Sequence, residues 1–564
     1  MRRITMFCKN DLQQTSLFEP INQMPKYLQD ILNKSWAKAF KDHIFPRINE
    51  ERFSVLYSNK ASRTNSPINV ILGLLIIKEI FQQTDEELIG SIHFDVRYQY
   101  ALNTTNYETQ PVSINTLTNF RNRLVEYEAS TNEDLIKAEV EALSESIAKY
   151  LSVDNKKVRV DSLMVSSSCK KLSRIELVYS INSRLIKALN IINPPIISDE
   201  LKPYLEKGHK NDTIYRTQDL KADSKLSILI EHSKILYNIA LKAGDIVTST
   251  EEFQLLNRVI QDQTTEDAAK NLVIKDSKDI TSTSLQNPTD KDATYRKKYG
   301  GNVGYVVNIQ ESFNDKNSVI TGYDLKQNIH SDSKFADDVI ANLASQNKNS
   351  NCKLLVDGAY YEQEKAKNAL KQGIEMIPSQ LVGRKVSTDK LSYSKFIVDD
   401  EKNVISCCPN GVEPVESYYS SKSYTAKFDS STCEKCPLNS QCPKKISKKF
   451  NTIRVSEKAY NTATQREKMH ESEYIKLANK RAGIEGIPSV LRRRYKIDTM
   501  PIRGLLRSKL WVGFKIAAYN FKKLLKQFLE SGIECFLNII ACIVAVIINC
   551  FKLYFLEFEA KLSN

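Results

Sequence analysis

A change in hydrophobic period near residue 156 constrains the fold more than any other feature of the chain. Before it, apolar residues recur at helical spacing, as in "SPINVILGLLIIKEIFQQ" (66–83). After it, "KKVRVDSLMVSSS" (156–168) alternates as a half-buried strand does, and "GYVVNIQES" (304–312) and "NSVITGYDLKQ" (317–327) read as two strands joined by a turn. We therefore expect a helical block followed by a region built around a sheet.

Helices alternate with the remaining strands of that region. The helix "SKFADDVIANLASQ" (333–346) leads to the strand "CKLLVD" (352–357), and "QEKAKNALKQG" (363–373) leads to "IEMIPSQ" (374–380). An antiparallel meander followed by right-handed crossovers to parallel strands accounts for this order. The predicted fold class is therefore α/β, a mixed sheet flanked by helices.

These patterns divide the chain into a helical domain over 1–150 and a domain built around the sheet over 156–530. Two insertions are predicted to interrupt the second domain: a largely helical one over 174–290 and a Cys-rich one over 380–450. An apolar tail over 531–564 follows.

The net charge favours an anionic partner. The 564 residues include Lys+Arg 81 against Asp+Glu 67, a formal +14, which suits nucleic acid or a membrane surface. The N-terminal "MRRITMFCKNDLQQ" has no apolar signal region, so a cytoplasmic location with reduced cysteines is expected. The apolar stretch 535–551 is shorter than the ~20 residues of a spanning helix. A packed helix or an oligomer contact is favoured there over a membrane anchor.

The helical block carries a candidate nucleic-acid reader. "SINTLTNFRNRLVEYE" (113–128) begins with Ser113 as a plausible N-cap and has a polar, basic face around an apolar stripe. A helix-turn-helix protein presents such a helix to a DNA groove, although an ordinary solvated face has the same composition. The predicted DNA-binding residues of this helix are Asn115, Asn119, Arg121 and Arg123.

Three carboxylates are candidates for catalysis. Asp161 lies in the first strand, Asp357 ends the fourth, and Glu485 lies in an otherwise basic helical stretch. A strand-end Asp taken alone is equally a turn former. If the first and fourth strands are neighbours, however, both aspartates lie at one edge of the sheet and Glu485 could close over them.

Clustered carboxylates suit hard divalent cations. Mg²⁺ (or Mn²⁺) prefers oxygen ligands, and two such ions ~4 Å apart promote in-line phosphodiester displacement. The neighbouring Arg492, Arg493 and Arg494 would suit DNA phosphates. The pattern favours metal-dependent chemistry on DNA.

Several motifs, in order, resemble the bacterial insertion-sequence DDE transposases, which have an RNase H-like catalytic domain. "VDSLMVSSS" resembles the first-aspartate strand of the family, and "LLVDGAYY" its second-aspartate motif. "NPTDKDATYRKKYGGNVGYVVNI" is similar to its Asp-Ala motif and hairpin, and "INVILGLLIIKEIFQQTDEELIG" with "SINTLTNFRNRL" to its DNA-binding region. Arg481, Glu485 and Arg492 match its Arg/Glu/Lys-or-Arg spacing, whereas Ala478 stands where many relatives have Tyr.

The resemblance implies that the protein binds the ends of its insertion sequence, nicks DNA with water, and uses the freed 3′-OH to attack a second phosphodiester. Asp161 and Asp357 would hold two metal ions, Glu485 would complete the site, and Arg481 and Arg492 would position DNA. A homodimer is expected because two DNA ends must be paired. The implied location is the nucleoid of a bacterial cytoplasm.

The Cys-rich insertion suggests a zinc site. Cys433 and Cys436 form a C-x₂-C pair, Cys442 follows, and Cys408 supplies a fourth thiolate, as a closed tetrahedral site needs. Cys407 leaves the identity of the fourth ligand open, and a set of reduced structural thiols is the alternative.

Two other functions remain open from sequence alone. A decayed transposase would bind DNA without cutting it, and a metal-dependent nuclease would cut without joining strands. Retention of Asp161, Asp357 and Glu485 argues against decay.

Overall fold

The computed structural model describes residues 5–10, 20–105, 110–192, 194–216, 222–267, 272–297, 300–346, 351–382, 389–399 and 401–531. The apolar stretch 535–551 therefore lies outside the described residues. Within them, no helix combines the length and apolarity that crossing a membrane requires.

The first block is helical, as predicted. Its α-helices are α1 (Lys26–Asn33), α2 (Trp36–His43), α3 (Ile68–Phe81), α4 (Asp85–Phe94), α5 (Val96–Ala101), α6 (Ile114–Thr131) and α7 (Leu135–Tyr150). Ser113 caps α6 by accepting a hydrogen bond from the Thr116 amide, as the sequence predicts. Helix α3 is apolar around nearly its whole circumference and is buried, whereas α6 buries only one stripe.

A mixed sheet follows. Its strands are β1 (Lys157–Ser166), β4 (Thr294–Arg296), β5 (Asn302–Phe313), β6 (Ser318–Gln327), β7 (Cys352–Val356) and β8 (Ile374–Pro378). β5 and β6 form the predicted hairpin, and β7 and β8 run parallel to β1 through the crossover helices α13 (Asp332–Gln346) and α14 (Gln363–Lys371). The spatial order β4-β5-β1-β7-β8, with β6 also on β5, puts β1 next to β7. The predicted fold class is confirmed.

The two faces of β1 enter different cores. Val158 and Val160 pack with the crossover helices, whereas Leu163 and Val165 join a larger core on the opposite face. Because side chains alternate along a strand, Asp161 shares its face with Leu163 and Val165. The first aspartate therefore points away from the crossover helices.

The larger core joins distant parts of the chain. Helices α3 and α7, the β5–β6 hairpin and the last helix, α19 (residues 505–531), contribute to one continuous apolar cluster. Within it Lys515 of α19 contacts Glu79 of α3 at 2.6 Å, and both side chains are almost fully buried. The boundary predicted near residue 150 is a change of secondary structure and not a break in packing.

Both insertions have small cores of their own. The first contains the helices α8 (Arg174–Ile192), α9 (His209–Asn211), α10 (Ala222–Ala243), α11 (Asp245–Thr248) and α12 (Glu251–Gln263), and the strands β2 (Thr264–Glu266) and β3 (Leu272–Ile274). The second contains β9 (Ile397–Asp399), β10 (Val404–Cys407), β11 (Glu416–Ser420), β12 (Ser423–Asp429), α15 (Ser430–Glu434) and β13 (Phe450–Ser456). Helices α16 (Glu457–Lys468), α17 (Ser472–Arg481) and α18 (Gly486–Arg493) return the chain to the sheet.

Candidate active site

The register of the parallel pair places the two aspartates side by side. Lys157 pairs with Lys353 and Arg159 with Leu355, so continuing the register by two residues sets Asp161 beside Asp357. Leu355 packs with Phe313 and with Leu477 of α17, which identifies the covered face of the sheet. Residues two apart share a face, so Asp161 and Asp357 both face the side that α17 covers.

Asp161 is held in a charged and partly desolvated environment. Its Oδ1 accepts a hydrogen bond from the Ser162 amide at 2.9 Å, and its side chain is 24% exposed. Burial raises the pKa of this carboxyl, the Arg481 guanidinium opposes the rise, and the charge of Asp357 adds to it. A cation bound between the two aspartates would relieve this cost.

Asp357 lies at the exposed lip of β7. Its Oδ1 accepts hydrogen bonds from the Gly358 amide at 2.7 Å and from Nε2 of Gln380 at 3.0 Å. These bonds orient one oxygen inside the turn that follows the strand. The turn-forming role and the proximity to Asp161 therefore occur together at this residue.

Glu485 reaches the same face through α17 and the turn that follows it. A 3-10 turn over Ala482–Glu485, here called the glutamate turn, connects α17 to α18. Arg481 lies between the carboxylates, with Nη2 3.6 Å from Oδ1 of Asp161 and Nη1 3.4 Å from Oε1 of Glu485. Glu485 itself is 64% exposed, so its carboxylate faces solvent above the aspartates.

The donor set suits a hard divalent ion. Asp161, Asp357 and Glu485 offer only carboxylate oxygens, and the aspartate pair repels itself in a half-buried setting. In the part of the chain that the structure describes, no three His, Cys, Asp or Glu side chains are grouped as a bound metal would require. Closing such a group needs Glu485 to move inward from its exposed position while Arg481 shifts from between the carboxylates.

A polar network behind Asp161 was not predicted. Asp332, at the start of α13, accepts a hydrogen bond from the Ser162 hydroxyl at 2.8 Å and lies 3.6 Å from Nη2 of Arg296. Its charge also contributes to the raised pKa of Asp161. The sequence signal was an Asp immediately before the helix predicted at 333–346, but the spatial neighbour in β1 could not be read from it.

The three consecutive arginines lie at the C-terminal end of α18, which begins directly after Glu485, and they are exposed. Arg492 and Arg493 end α18, and Arg494 follows it. Arg492 lies 3.8 Å from Asp498, and both side chains are nearly half exposed. These guanidinium groups are accessible to a polyanion near Glu485.

The polar residues of α6 divide into two kinds. Asn115 and Asn119 are exposed, as a groove-reading face requires. Arg121 instead makes two hydrogen bonds, of 2.6 and 2.9 Å, to Asp85 of α4, and Arg123 stacks on the Tyr57 ring at 4.6 Å. Internal contacts hold both arginines, because α6 packs against neighbouring elements that the sequence pattern did not identify.

The structure brings four of the Cys-rich insertion's cysteines together. They line one apolar cavity of about 30 Å³, and they are Cys408, Cys433, Cys436 and Cys442. Burial raises the pKa of Cys442, and the other three thiols add to the rise. Cys407 does not line the cavity, and its Sγ donates to the Cys408 carbonyl instead.

Comparison with known proteins identifies the C-terminal half of this arrangement. Residues 407–525 match a family model described as a transposase DDE domain. This part of the chain is similar to a transposase DDE domain. The matched segment contains Arg481, Glu485 and Arg492, whereas Asp161 and Asp357 lie before it in the chain. This match confirms the predicted resemblance to DDE transposases. It does not show that the source is bacterial.

One solved structure was also found to be similar to this chain. It is a cryo-EM structure of a piggyBac transposase synaptic complex with hairpin DNA, 9% identical, covering 88% of this chain and 75% of that chain, at a TM-score of 0.29. A TM-score this low does not establish a shared fold. No curated protein matches the sequence.

Proposed function

We propose that this chain is a DDE transposase that binds the ends of its own insertion sequence and catalyses metal-dependent strand cleavage and strand transfer through Asp161, Asp357 and Glu485. The observation that carries the proposal is the parallel register, which sets Asp161 beside Asp357 on the face from which Arg481 contacts Glu485. Residues separated by more than a hundred positions in sequence thereby meet around one accessible edge of the sheet.

Each residue has a role that follows from its position. Asp161 and Asp357 would hold divalent ions, which supply activation of the attacking hydroxyl and stabilisation of the leaving oxygen. Glu485 would complete the ligand set from its exposed position. Arg481 shields the carboxylates from one another before DNA binds, and the exposed Arg492, Arg493 and Arg494 would contact phosphates.

The helical block would supply sequence recognition. Asn115 and Asn119 lie exposed on α6, and Asn122 accepts a 3.4 Å hydrogen bond from Arg507 of α19. This contact ties the candidate reading helix to the C-terminal helix of the catalytic region. Pairing of two DNA ends by two copies of the chain, a homodimer on DNA, is part of the proposal, as is a location with the bacterial nucleoid.

The proposal is tested with a linear DNA carrying the ends that flank the gene. We expect end-specific nicking and joining in Mg²⁺ or Mn²⁺ and end binding without cleavage in Ca²⁺, because Ca²⁺ accepts flexible oxygen coordination but supports the reaction poorly. The products are resolved on a denaturing gel. Nicking without any joined product would favour a nuclease, and binding without nicking in every metal would favour a catalytically decayed protein.

We further propose that the Cys-rich insertion binds one structural zinc ion through Cys408, Cys433, Cys436 and Cys442. The shared apolar cavity supports the proposal, and it favours Cys408 over Cys407 as the fourth ligand. Four thiolates suit tetrahedral zinc. In the described residues the four side chains do not yet form a group that could hold a metal, so zinc binding would have to draw them together.

The purified protein is accordingly expected to contain about one zinc ion per chain. Cys433→Ser should lose that zinc and loosen the insertion, since binding energy and folding energy are shared in such sites. Cys407→Ser is the matched control and should retain it. Elemental analysis measures the zinc and limited proteolysis measures the folding of the insertion. Absence of zinc from the wild type, or equal loss in the control, would contradict the proposal.

A further inference from the structure

An arginine whose side chain is 11% exposed lies beneath the glutamate turn. Arg159 precedes Asp161 by two positions on β1 and therefore shares its face. Its Nη1 donates to the Lys480 carbonyl at 2.6 Å, and its Nε donates to Glu311 at 2.6 Å. The guanidinium also stacks on the Phe313 ring, 4.6 Å from the centroid.

The bond to Lys480 falls where α17 ends. Carbonyls in the last turn of a helix lack their usual partner four residues on, and a cation there is favoured by the helix dipole. The Lys480 carbonyl also accepts from the Ala482 amide, so Arg159 adds a second donor. Arg159 supplies both the donor and the charge immediately before Arg481 and the glutamate turn. The end of α17 is thereby fixed directly to the strand that carries Asp161.

Gly483 allows this close approach. A Cβ at this position would lie 2.0 Å from Nη1 of Arg159 and 2.8 Å from its Cζ. The guanidinium has little freedom to retreat, because Glu311 is 1% exposed and holds it from one side while Phe313 covers its face. The backbone of Gly483 is not in the left-handed region, so contact and not conformation calls for glycine here.

Two further contacts hold the same segment. Lys480 Nζ lies 2.6 Å from Asp315 in the loop of the β5–β6 hairpin, and Ile484 is fully buried. The exposed Lys480–Asp315 pair contributes little by itself. Arg159 is thus the mostly buried polar anchor of a turn whose last residue, Glu485, is otherwise exposed.

We propose that Arg159 is a positioning residue that sets the distance of Glu485 from Asp161 and Asp357. Gly483 makes this possible because it has no side chain to clash with the Arg159 guanidinium. The inference rests on the proposed metal-dependent reaction. Misplacement of a ligand by about 1 Å is enough to weaken a catalytic constellation. Arg159 acts through the glutamate turn and does not itself contact metal or DNA.

The test compares two glycines of one short segment. Gly483→Ala introduces a methyl group against Arg159, whereas Gly486→Ala, one residue after Glu485, introduces one where no atom lies within 4 Å. Arg159→Lys is a second variant, which keeps a positive charge beside Glu311 but loses the planar donor to Lys480. Thermal unfolding of each variant verifies that the chain is folded.

Three readouts are taken: Mn²⁺ binding by titration calorimetry without DNA, the Mg²⁺ concentration for half-maximal cleavage, and DNA-end binding in Ca²⁺. For Gly483→Ala and Arg159→Lys we expect Mn²⁺ affinity to fall about 10- to 100-fold, the range for residues that orient metal ligands. The Mg²⁺ requirement should rise correspondingly, with DNA-end binding unchanged. Gly486→Ala should match the wild type in all three.

The combined variant Gly483→Ala/Arg159→Lys should lose less Mn²⁺ affinity than the two single effects together predict. The lysine has no guanidinium group to clash with the added methyl group. If the wild type binds Mn²⁺ and cleaves DNA, and Gly483→Ala and Arg159→Lys have the same Mn²⁺ affinity and Mg²⁺ requirement as the wild type, the positioning role of Arg159 is overturned while the proposed function stands. A wild type that binds no Mn²⁺ and cuts no DNA would overturn the proposed function, and this inference with it.

Discussion

Asp161→Asn and Asp357→Asn are each expected to lower the single-turnover rate of end cleavage on the order of 10³-fold, the scale for loss of one preorganised electrostatic group or more. The register sets the two carboxylates beside each other, so either substitution removes half of one shared ligand pair. Because residues that act as a unit are non-additive, the double variant should be little slower than either single one. Quenched-flow or gel-based time courses in Mg²⁺ measure these rates.

Stability should respond in the opposite sense for Asp161. Burial raises the pKa of this carboxyl, so its ionised form costs folding free energy above that pKa, and an uncharged amide removes the cost. Asp161→Asn is therefore expected to unfold at the same or a higher temperature than the wild type at pH 7. Asp338→Asn, on the exposed side of α13, serves as the control for both rate and stability. A double variant whose rate loss is the product of the two single losses would contradict a shared ligand pair. Unfolding of Asp161→Asn at pH 7 would contradict it too.

Lys515→Met is expected to destabilise the folded protein by about 3–5 kcal/mol, since it leaves the buried Glu79 charge unpaired. Lys515 and Glu79 lie 2.6 Å apart with 6% and 10% exposed side chains, at the junction of α19 and α3. Burial lowers the pKa of Lys515 while Glu79 opposes that fall, as a desolvated but paired cation requires. Urea unfolding followed by tryptophan emission measures the loss, because Lys515 lies 4.1 Å from the Trp511 ring.

Two further variants separate pairing from mere charge. Lys515→Met/Glu79→Met removes both charges and should recover most of the stability, as apolar replacements of buried pairs often do. Lys526→Met on the same helix breaks the exposed pair with Glu530 and should cost at most about 0.5 kcal/mol. Equal effects of Lys515→Met and Lys526→Met would show that the buried pair does not join the helical block to α19.

The sequence predicted the elements of the sheet because local pattern controls them. Period-two alternation marked β1, the turn residues marked the β5–β6 hairpin, and the crossover helices followed from period 3.6. Capping was equally readable, since Ser113 caps the N-terminus of α6 as predicted. Such features depend on residues within a few positions of one another, which a sequence displays directly.

Contacts between distant residues were the part that pattern could not supply. A polar helix face does not reveal that Arg121 will pair with Asp85, and an alternating strand does not reveal that Asp332 will meet Ser162. The sequence likewise did not show that the segments before and after residue 150 share one apolar core. An apolar face in a sequence does not reveal which other segment it packs against. The candidate carboxylates were singled out by their positions in the predicted elements, and motif order added the long-range information that favoured them.

By itself the sequence determined which residues can form strands, which can bind a cation, and that a DDE transposase was the class to expect. Only the tertiary structure decided that Asp161 faces α17 and that Arg481 lies between Asp161 and Glu485. It also decided that Arg159 lies beneath the glutamate turn and holds it. The physical reason is that strand register and helix packing are set by burial summed over the whole core. No single segment contains that sum.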